Sequence, residues 1–248
     1  MSKIEAIIGG KAVGLADQAS IEPAFGCKNR CVGCYGKKSS QRGEGYDNVL
    51  SKEFDKEHLV KSIKRVKAKG IEVARVGKHC DPGNHIDNLN GILDCCNNES
   101  FGCVVVSKSI IFNIPTAELL KKGNHILHVS LGPHTDKAPA EEDRIREAVK
   151  FEKWGCKVVI RLTRDITQWI TPLDKKALRL FECIVTPMRY PSKDIAAFYR
   201  ADLDNFLFKN GYYRPQIVHE SWKEYMQNVC GEVRDKIYCC NCLTGIGE

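Results

Sequence analysis

The sequence lacks any long apolar run. No stretch of its 248 residues approaches the roughly 18 consecutive apolar residues of a membrane span. The N-terminus, Met1-Ser2-Lys3-Ile4-Glu5, also lacks the apolar segment of a secretory signal peptide. Internal repeats and low-complexity segments are missing as well. We therefore expect a cytoplasmic protein with no membrane partner and with one main core.

Cysteine, in contrast, is abundant. The chain has 13 cysteines, and an odd number fits poorly with a complete disulfide framework in a chain of this length. Metal or redox chemistry is therefore the better prediction. The formal net charge of +7 suits an anionic partner such as nucleic acid or a phosphorylated substrate, although many basic proteins bind neither.

Short β-rich runs alternate with amphipathic helical stretches, which predicts repeated βα units and a parallel sheet. The predicted strands are Ser20–Phe25, Ile71–Val76, Gly102–Ser107, Ile126–Leu131, Lys157–Leu162 and Glu182–Thr186. The predicted helices are His58–Lys69, His85–Cys96, Thr116–Lys122, Ala140–Trp154, Leu173–Leu180 and Ala201–Lys209. Gly70, Gly123 and Gly155 each follow a predicted helix, where a left-handed C-cap favours glycine.

The spacing of these elements predicts an incomplete barrel. A closed eight-stranded barrel needs about 250 residues, but the predicted strands lie between residues 20 and 186. We expect an α/β fold that forms a partial, open (β/α)6 TIM-type barrel, followed by a helical, cysteine-containing C-terminal tail. Residues 1–210 would form the barrel, and residues 211–248 would form a tail that covers its mouth.

Three cysteines follow the first predicted strand. Cys27, Cys31 and Cys34 fall in the loop where parallel α/β proteins place their active sites. Three thiolates within eight residues can hold a four-iron cluster and leave one iron open. A zinc site is the alternative, because Cys31-x-x-Cys34 has zinc spacing, but no second ligand pair follows nearby. The spacing favours the iron–sulfur cluster.

The Cys-x3-Cys-x2-Cys run, set in the segment 22–27, resembles the signature of the radical SAM superfamily. In motif style it is most similar to the spore photoproduct lyase-like branch. Gly33 departs from the pattern, since many members carry an aromatic residue there, and Tyr35 follows the third cysteine instead. The resemblance extends over approximately residues 20–190.

This resemblance implies a radical SAM enzyme. Its [4Fe-4S] cluster would reductively cleave S-adenosylmethionine to a 5′-deoxyadenosyl radical, which abstracts hydrogen from a substrate. The implied partner is a one-electron reductant such as flavodoxin or ferredoxin. The substrate is left open among nucleic acid, nucleotide and peptide. The competing function is a non-catalytic, zinc-containing nucleic-acid-binding protein, which does not account for six βα units.

The resemblance also implies residues that contact the cofactor. In the turn after the second strand, Asp81 would meet the cationic amino group of S-adenosylmethionine, with His79 or Lys78 as substitutes. From the residues alone, Asp81-Pro82-Gly83 is also an ordinary turn sequence.

Later strand ends supply further candidates. Lys108 would meet the ligand carboxylate, Ser130 the ribose or carboxylate, and Arg161 a carboxylate or phosphate. Arg144 would buttress the site. A solvated lysine and a serine that caps the backbone remain the alternatives for Lys108 and Ser130.

The C-terminal segment concentrates further thiols, namely Cys230, Cys239, Cys240 and Cys242. They would bind a second iron–sulfur cluster or zinc, or present one cysteine as a hydrogen-atom or electron donor. A tail with unmetallated thiols is the alternative.

Overall fold

A seven-stranded sheet organises the chain in the computed structural model, which describes residues 2–8, 19–32, 34, 46, 48–109, 111–132, 137–209, 211–229, 231–233 and 236–238. Its strands, in spatial order, are β1 (Ala6–Ile8), β2 (Ala19–Ile21), β5 (Val73–Val76), β6 (Gly102–Ser107), β7 (Ile126–Leu131), β8 (Lys157–Arg164) and β9 (Glu182–Pro187). β1 pairs antiparallel with β2, and the other pairs are parallel. The fold is therefore α/β with a mostly parallel sheet.

In the part of the chain that the structure describes, three short strand pairs lie outside this sheet. They are β3 (Ala24–Phe25) with β4 (Leu50–Ser51), β10 (Phe206–Lys209) with β11 (Tyr212–Pro215), and β12 (Gly231–Val233) with β13 (Lys236–Tyr238). The first predicted strand is therefore divided into β2 and β3. Pro23 lies at the break, where a residue without a backbone N–H cannot continue the ladder of a central strand.

Within the described residues, the α-helices are α1 (Lys56–Lys67), α2 (Ile86–Asn98), α3 (Ile114–Lys122), α4 (Glu141–Lys153), α5 (Pro172–Leu180) and α6 (Lys193–Phe198). Short 3₁₀ helices span Pro82–Asn84, Leu203–Asn205 and Glu220–Asn228. Five of the six predicted helices are confirmed, and α6 was not predicted. No helix in the described ranges is long and apolar enough to cross a membrane.

The helix ends follow local chemistry. Asp55 caps α1 by accepting a hydrogen bond from His58 N, and Thr171 with Asp174 forms a capping box at α5. Gly70 adopts the predicted left-handed conformation after α1. The same prediction for Gly123 is wrong, because its φ is −92° and Asn124, with φ of 52°, turns the chain instead.

The predicted helix Ala201–Lys209 is wrong, because Leu203–Asn205 forms a short 3₁₀ helix and Phe206–Lys209 forms strand β10 of a hairpin. Lys209 pairs with Tyr212, so two residues separate the ends of the paired strands. Asn-Gly between β-forming aromatic residues is the strongest short hairpin signal, and it outweighs the helical spacing. Gly211 has a φ of +78°, as such a turn requires.

The prediction of a helical tail is also corrected. In its described part, beyond residue 210, the tail contains β-strands and one 3₁₀ helix rather than α-helix. Trp222 in that 3₁₀ helix is buried in the main core, and its indole donates to Gln168 O at 2.9 Å. Val229 forms a parallel bridge with Val185 of β9. Local strand pairing and docking on the sheet edge thus replace helical structure.

The two faces of the sheet pack differently. One face joins the buried faces of α1 to α5 in the main core. The other carries a small apolar cluster of strand residues alone, formed by Val73, Val104, Val106, Ile126, Val159 and Ile184. We call this second side the helix-free face, because none of the described helices contributes a residue to its apolar cluster. Its residues alternate with those of the main core, as the two-residue period of a strand dictates.

Candidate functional site

The cysteine triplet lies in the loop that leaves β3. Cys27 N donates to Tyr46 O at 3.3 Å, and Cys34 N donates to Cys31 O at 3.2 Å. Gly26 makes the first contact feasible: its φ is +84°, and a Cβ there would lie 2.3 Å from Tyr46 O. Only glycine lets the two backbone segments approach so closely.

The three thiols are close enough to influence one another. All three are free and partly buried. Burial, followed by the negative charge of Asp81, raises the pKa of Cys27 to about 12, and the other two cysteines add to this effect. Burial also raises the pKa of Cys31, while the hydrogen-bonded ammonium of Lys108 opposes that rise. Cations at the loop would be needed to hold these sulfurs as thiolates.

The chemistry of the donor set suits an iron–sulfur cluster. Within the described ranges, no three His, Cys, Asp or Glu side chains converge as ligands of one metal ion. A four-iron cluster instead takes one thiolate at each of three corners, so its ligands need not converge on one point. Three soft sulfur donors on one loop match that requirement, and Cys27, Cys31 and Cys34 are the residues that would hold the cluster.

Asp81 joins the cysteine loop to the sheet. It is buried, and its two carboxylate oxygens accept four hydrogen bonds. Asn29 Nδ2 and Lys108 N donate to Oδ2 at 2.6 and 2.7 Å. Gly83 N and Ser107 Oγ donate to Oδ1 at 3.0 and 2.7 Å. The predicted contact of Asp81 with a ligand amine stays a prediction. The amine would have to donate to a carboxylate oxygen that already accepts two hydrogen bonds.

Glu22 is a buried residue that the sequence reasoning missed. Its carboxylate accepts Lys78 N at 2.8 Å, His79 N at 3.0 Å and the Cys80 thiol at 3.3 Å. The only sequence signal was an acidic residue within the first predicted strand, five residues before Cys27. Glu22 therefore holds the backbone of the turn that carries the predicted ligands Lys78 and His79.

Tyr46, which the sequence reasoning also missed, contacts both the cysteine loop and the turn that carries His79. Its hydroxyl donates to His79 O at 2.5 Å, and its backbone carbonyl accepts from Cys27. Burial raises the pKa of Tyr46 well above its usual value, and the nearby thiols act in the same direction. The cysteine loop and the turn with His79 are thus joined through one side chain.

The later candidates lie at successive strand ends. Lys108, which follows β6, is buried and lies beside the Cys31 sulfur. Ser130 on β7 pairs in register with Arg161 on β8. Arg144 donates from Nη1 to Ser130 O, and its Nη2 lies 3.7 Å from Glu141 Oε1; its predicted buttressing role stays a prediction. These placements do not test whether any of these residues contacts a cofactor.

A cavity of about 490 Å³ opens beside the carboxyl ends of β7, β8 and β9. Among the predicted residues, only Arg144 lines it. The aromatic side chains of Trp169, Tyr199 and Trp222 form part of its wall. Tyr199 also donates its hydroxyl to Val32 O at 3.1 Å, so the cavity wall is tied to the cysteine loop. No sequence pattern had pointed to this cavity.

Solved structures with the same architecture are known. The chain shares its fold with spore photoproduct lyase. A cysteine-to-serine mutant of that enzyme matches with a TM-score of 0.59 and 15% identity, over 84% of this chain and 70% of that chain. The complex of spore photoproduct lyase with a dinucleoside spore photoproduct matches with a TM-score of 0.60 and 13% identity, at the same coverage. At these identities the likeness establishes the fold.

Sequence comparison adds no family to this result. No family model matches the chain, and no curated protein matches it. The four C-terminal cysteines, Cys230, Cys239, Cys240 and Cys242, lie outside the described residues. Their predicted auxiliary site therefore stays a prediction.

Proposed function

We propose that this chain is a radical SAM enzyme that holds a [4Fe-4S] cluster on Cys27, Cys31 and Cys34. The observation that carries the proposal is the position of the three thiols. They lie on one loop at the carboxyl edge of a parallel sheet, in a fold shared with spore photoproduct lyase. That edge is where parallel α/β folds collect residues from several strands into one site.

When bound, the cluster supplies the electron that cleaves S-adenosylmethionine and so starts hydrogen abstraction from the substrate. The protein's own contribution is to hold the surrounding groups. Asp81 fixes the cysteine loop through Asn29 and the end of β6 through the Lys108 backbone. Glu22 fixes the turn that presents Lys78 and His79.

The cofactor would lie among the strand ends next to the loop. Lys108 would attract its carboxylate, because its buried ammonium already lies beside Cys31. Ser130 and Arg161, which are neighbours in register, would contact the remaining polar groups. We further propose that the parallel strands curve into an open (β/α)6 barrel around this ligand, and that a reductant such as ferredoxin or flavodoxin docks from the cytoplasm.

The chemical test is anaerobic purification of the full chain with iron and sulfide. We expect a brown protein with about four irons and four sulfides per chain. With dithionite it should convert S-adenosylmethionine to 5′-deoxyadenosine. Alanine in place of Cys27, Cys31 or Cys34 should abolish both properties.

Cys95→Ala is the matched control, because Cys95 is a buried cysteine on α2 that belongs to the main core. It should keep iron and cleavage activity. A colourless protein that retains only zinc, or full cleavage by any one of the three loop variants, would contradict the proposal. The first result would support the zinc-containing binding protein instead.

A further inference from the structure

The cavity beside the carboxyl ends of β7, β8 and β9 has an excess of negative charge. Among the described residues that line it are three carboxylates and two guanidinium groups. Arg164 is paired with Glu141 and Asp174, through contacts of 2.6 and 2.8 Å. Arg144 lies 3.7 Å from the same Glu141. The two arginines therefore balance two of the carboxylates, and the third, Asp165, remains.

Asp165 accepts hydrogen bonds only from neutral groups in the part of the chain that the structure describes. Thr167 N and Oγ1 donate to Oδ1 at 3.0 and 2.7 Å, so this oxygen is occupied within its own turn. The Tyr190 hydroxyl and Gln168 Nε2 donate to Oδ2 at 2.9 and 3.2 Å. Tyr190 is buried, whereas Gln168 is exposed and lines the cavity. The Gln168 amide is therefore the donor that a ligand in the cavity can replace.

Aromatic and apolar side chains complete the cavity. Trp169 lines it four residues after Asp165, and it is 69% exposed although its ring centroid lies 4.4 Å from that of His219. Trp222 and Met188 add buried apolar surface to the wall. A cation is attracted to the face of an aromatic ring as well as to a carboxylate, and an aliphatic chain packs on an apolar wall. The lining thus suits a cation on an aliphatic chain.

The cavity adjoins the proposed cluster and cofactor. Tyr199 in its wall donates to Val32 O, within the cysteine loop. Arg144, which also lines the cavity, donates to Ser130 O on β7. A ligand in the cavity would therefore lie at the same edge of the sheet as the chemistry proposed above.

We propose that this cavity binds the substrate by an alkylammonium group, which donates to Asp165 Oδ2 in place of the Gln168 amide and lies against Trp169. A charge-assisted hydrogen bond is about twice as strong as a neutral one, so the ammonium can displace the amide. A guanidinium fork needs two acceptor oxygens, but Thr167 holds Oδ1, and a point donor therefore fits better. An anion would be repelled by the excess carboxylate.

The size of the cavity agrees with this ligand. Its volume of about 490 Å³ lies in the range of small-ligand sites, so it accepts one side chain or a small amine. That the ligand is the substrate rests on the proposed function, whereas binding of the ammonium group does not.

The test is calorimetric titration of the anaerobic full-chain protein, at constant ionic strength, with N-acetyl-lysine methylamide and with cadaverine. The first probe represents a lysine residue of a peptide, and the second represents a free amine. Binding of either supports the inference, and the tighter probe identifies the source of the ammonium group. The norleucine analogue of the first probe keeps the aliphatic stem without the charge. It should bind at least about tenfold more weakly, because a charge-assisted bond is missing.

Variants locate the ammonium group. Asp165→Asn should weaken binding of the lysine probe at least about tenfold. Asp204→Asn is the control and should leave the affinity unchanged, because it removes the same charge from an exposed position outside the described lining. Trp169→Ala and Gln168→Ala change exposed side chains, so both should fold. The first should weaken binding about threefold, whereas the second removes the competing amide and should bind at least as tightly as the wild type.

The inference is overturned if neither amine binds at millimolar concentration, if the lysine and norleucine probes bind equally, if Asp165→Asn keeps wild-type affinity, or if Gln168→Ala binds more weakly. Displacement of the lysine probe by S-adenosylmethionine would also overturn it, because the cavity would then hold the amino group of the cofactor. A protein that cleaves S-adenosylmethionine but binds neither amine refutes only this inference. One that binds an amine without any cleavage refutes only the proposed function.

Discussion

The replacement Asp81→Asn tests whether Asp81 organises the site. The carboxylate accepts four hydrogen bonds, two at each oxygen. An amide has one oxygen and one NH₂ group. If the NH₂ group replaces Oδ2, it faces two donors, Asn29 Nδ2 and Lys108 N. If it replaces Oδ1, the Ser107 hydroxyl can turn and accept, but Gly83 N still faces a donor. The second orientation is therefore the better one.

Its cost can be worked out from these contacts. One bond to a charged acceptor is lost, which is about 2 kcal/mol, and three others weaken by about 1 kcal/mol each as the charge disappears. A neutral amide costs less free energy to bury than a carboxylate, and this difference offsets part of that sum. We expect a net loss of about 3 kcal/mol of stability, or about 6–12 °C in melting temperature for a chain of this length. The bond that Asn29 donates to the remaining oxygen should weaken as the charge disappears, so iron content should fall as well.

Thermal unfolding and iron content per chain are the assays. Asp87→Asn, at an exposed position in the first turn of α2, is the matched control and should change stability by less than about 0.5 kcal/mol. If Asp81→Asn melts like the wild type and binds iron normally, the organising role is refuted. A loss of S-adenosylmethionine affinity alone would then favour direct contact between Asp81 and the ligand amine.

Three further results are expected. Gly26→Ala should displace the cysteine loop and reduce iron content, because its Cβ would lie 2.3 Å from Tyr46 O. Gly70→Ala is the control: Gly70 has a φ of +76° and no atom lies within 4 Å of the added Cβ, so this variant measures the cost of the left-handed backbone alone. Burial raises the pKa of Glu147 from 4.5 to about 7, so the folded state binds its proton more tightly than the unfolded state. Stability should therefore fall by up to about 3 kcal/mol as the pH rises from about 4.5 to about 7, and Glu147→Gln should remove that slope in melting temperature against pH. Truncation after Cys230 should retain the loop cluster but lose turnover of the true substrate, and metal content should fall if an auxiliary site exists. Unchanged iron in Gly26→Ala, an unchanged pH slope in Glu147→Gln, or full turnover by the truncated chain would contradict the respective prediction.

Much of the chain follows from local chemistry. The spacing of Cys27, Cys31 and Cys34 is a property of eight consecutive residues, so the sequence alone identifies the candidate cluster loop. The six parallel strands were likewise predictable, because each is a short β-rich run that alternates with an amphipathic helix. Helix ends at Asp55 and Thr171 depend on side chains that bond their own neighbours. Such features require no knowledge of distant residues.

Sequence-based prediction failed where two local preferences competed. In Ala201–Lys209, helical spacing opposed the hairpin signal of Asn210-Gly211, and pairing with Tyr212 decided the outcome. Pro23 similarly divided a predicted strand into two.

Only the tertiary structure shows which distant groups meet. Glu22 bonds a turn more than fifty residues away, and Asp81 joins a loop, a turn and a strand end. Strand pairing also places polar residues of β5, β7 and β8 on one face of the sheet. In the sequence, Arg75, His128 and Arg161 are isolated polar residues within apolar strands. Strand pairing sets them side by side, so that burial, with the charges of Arg161 and Arg75 added to it, lowers the pKa of the His128 imidazole.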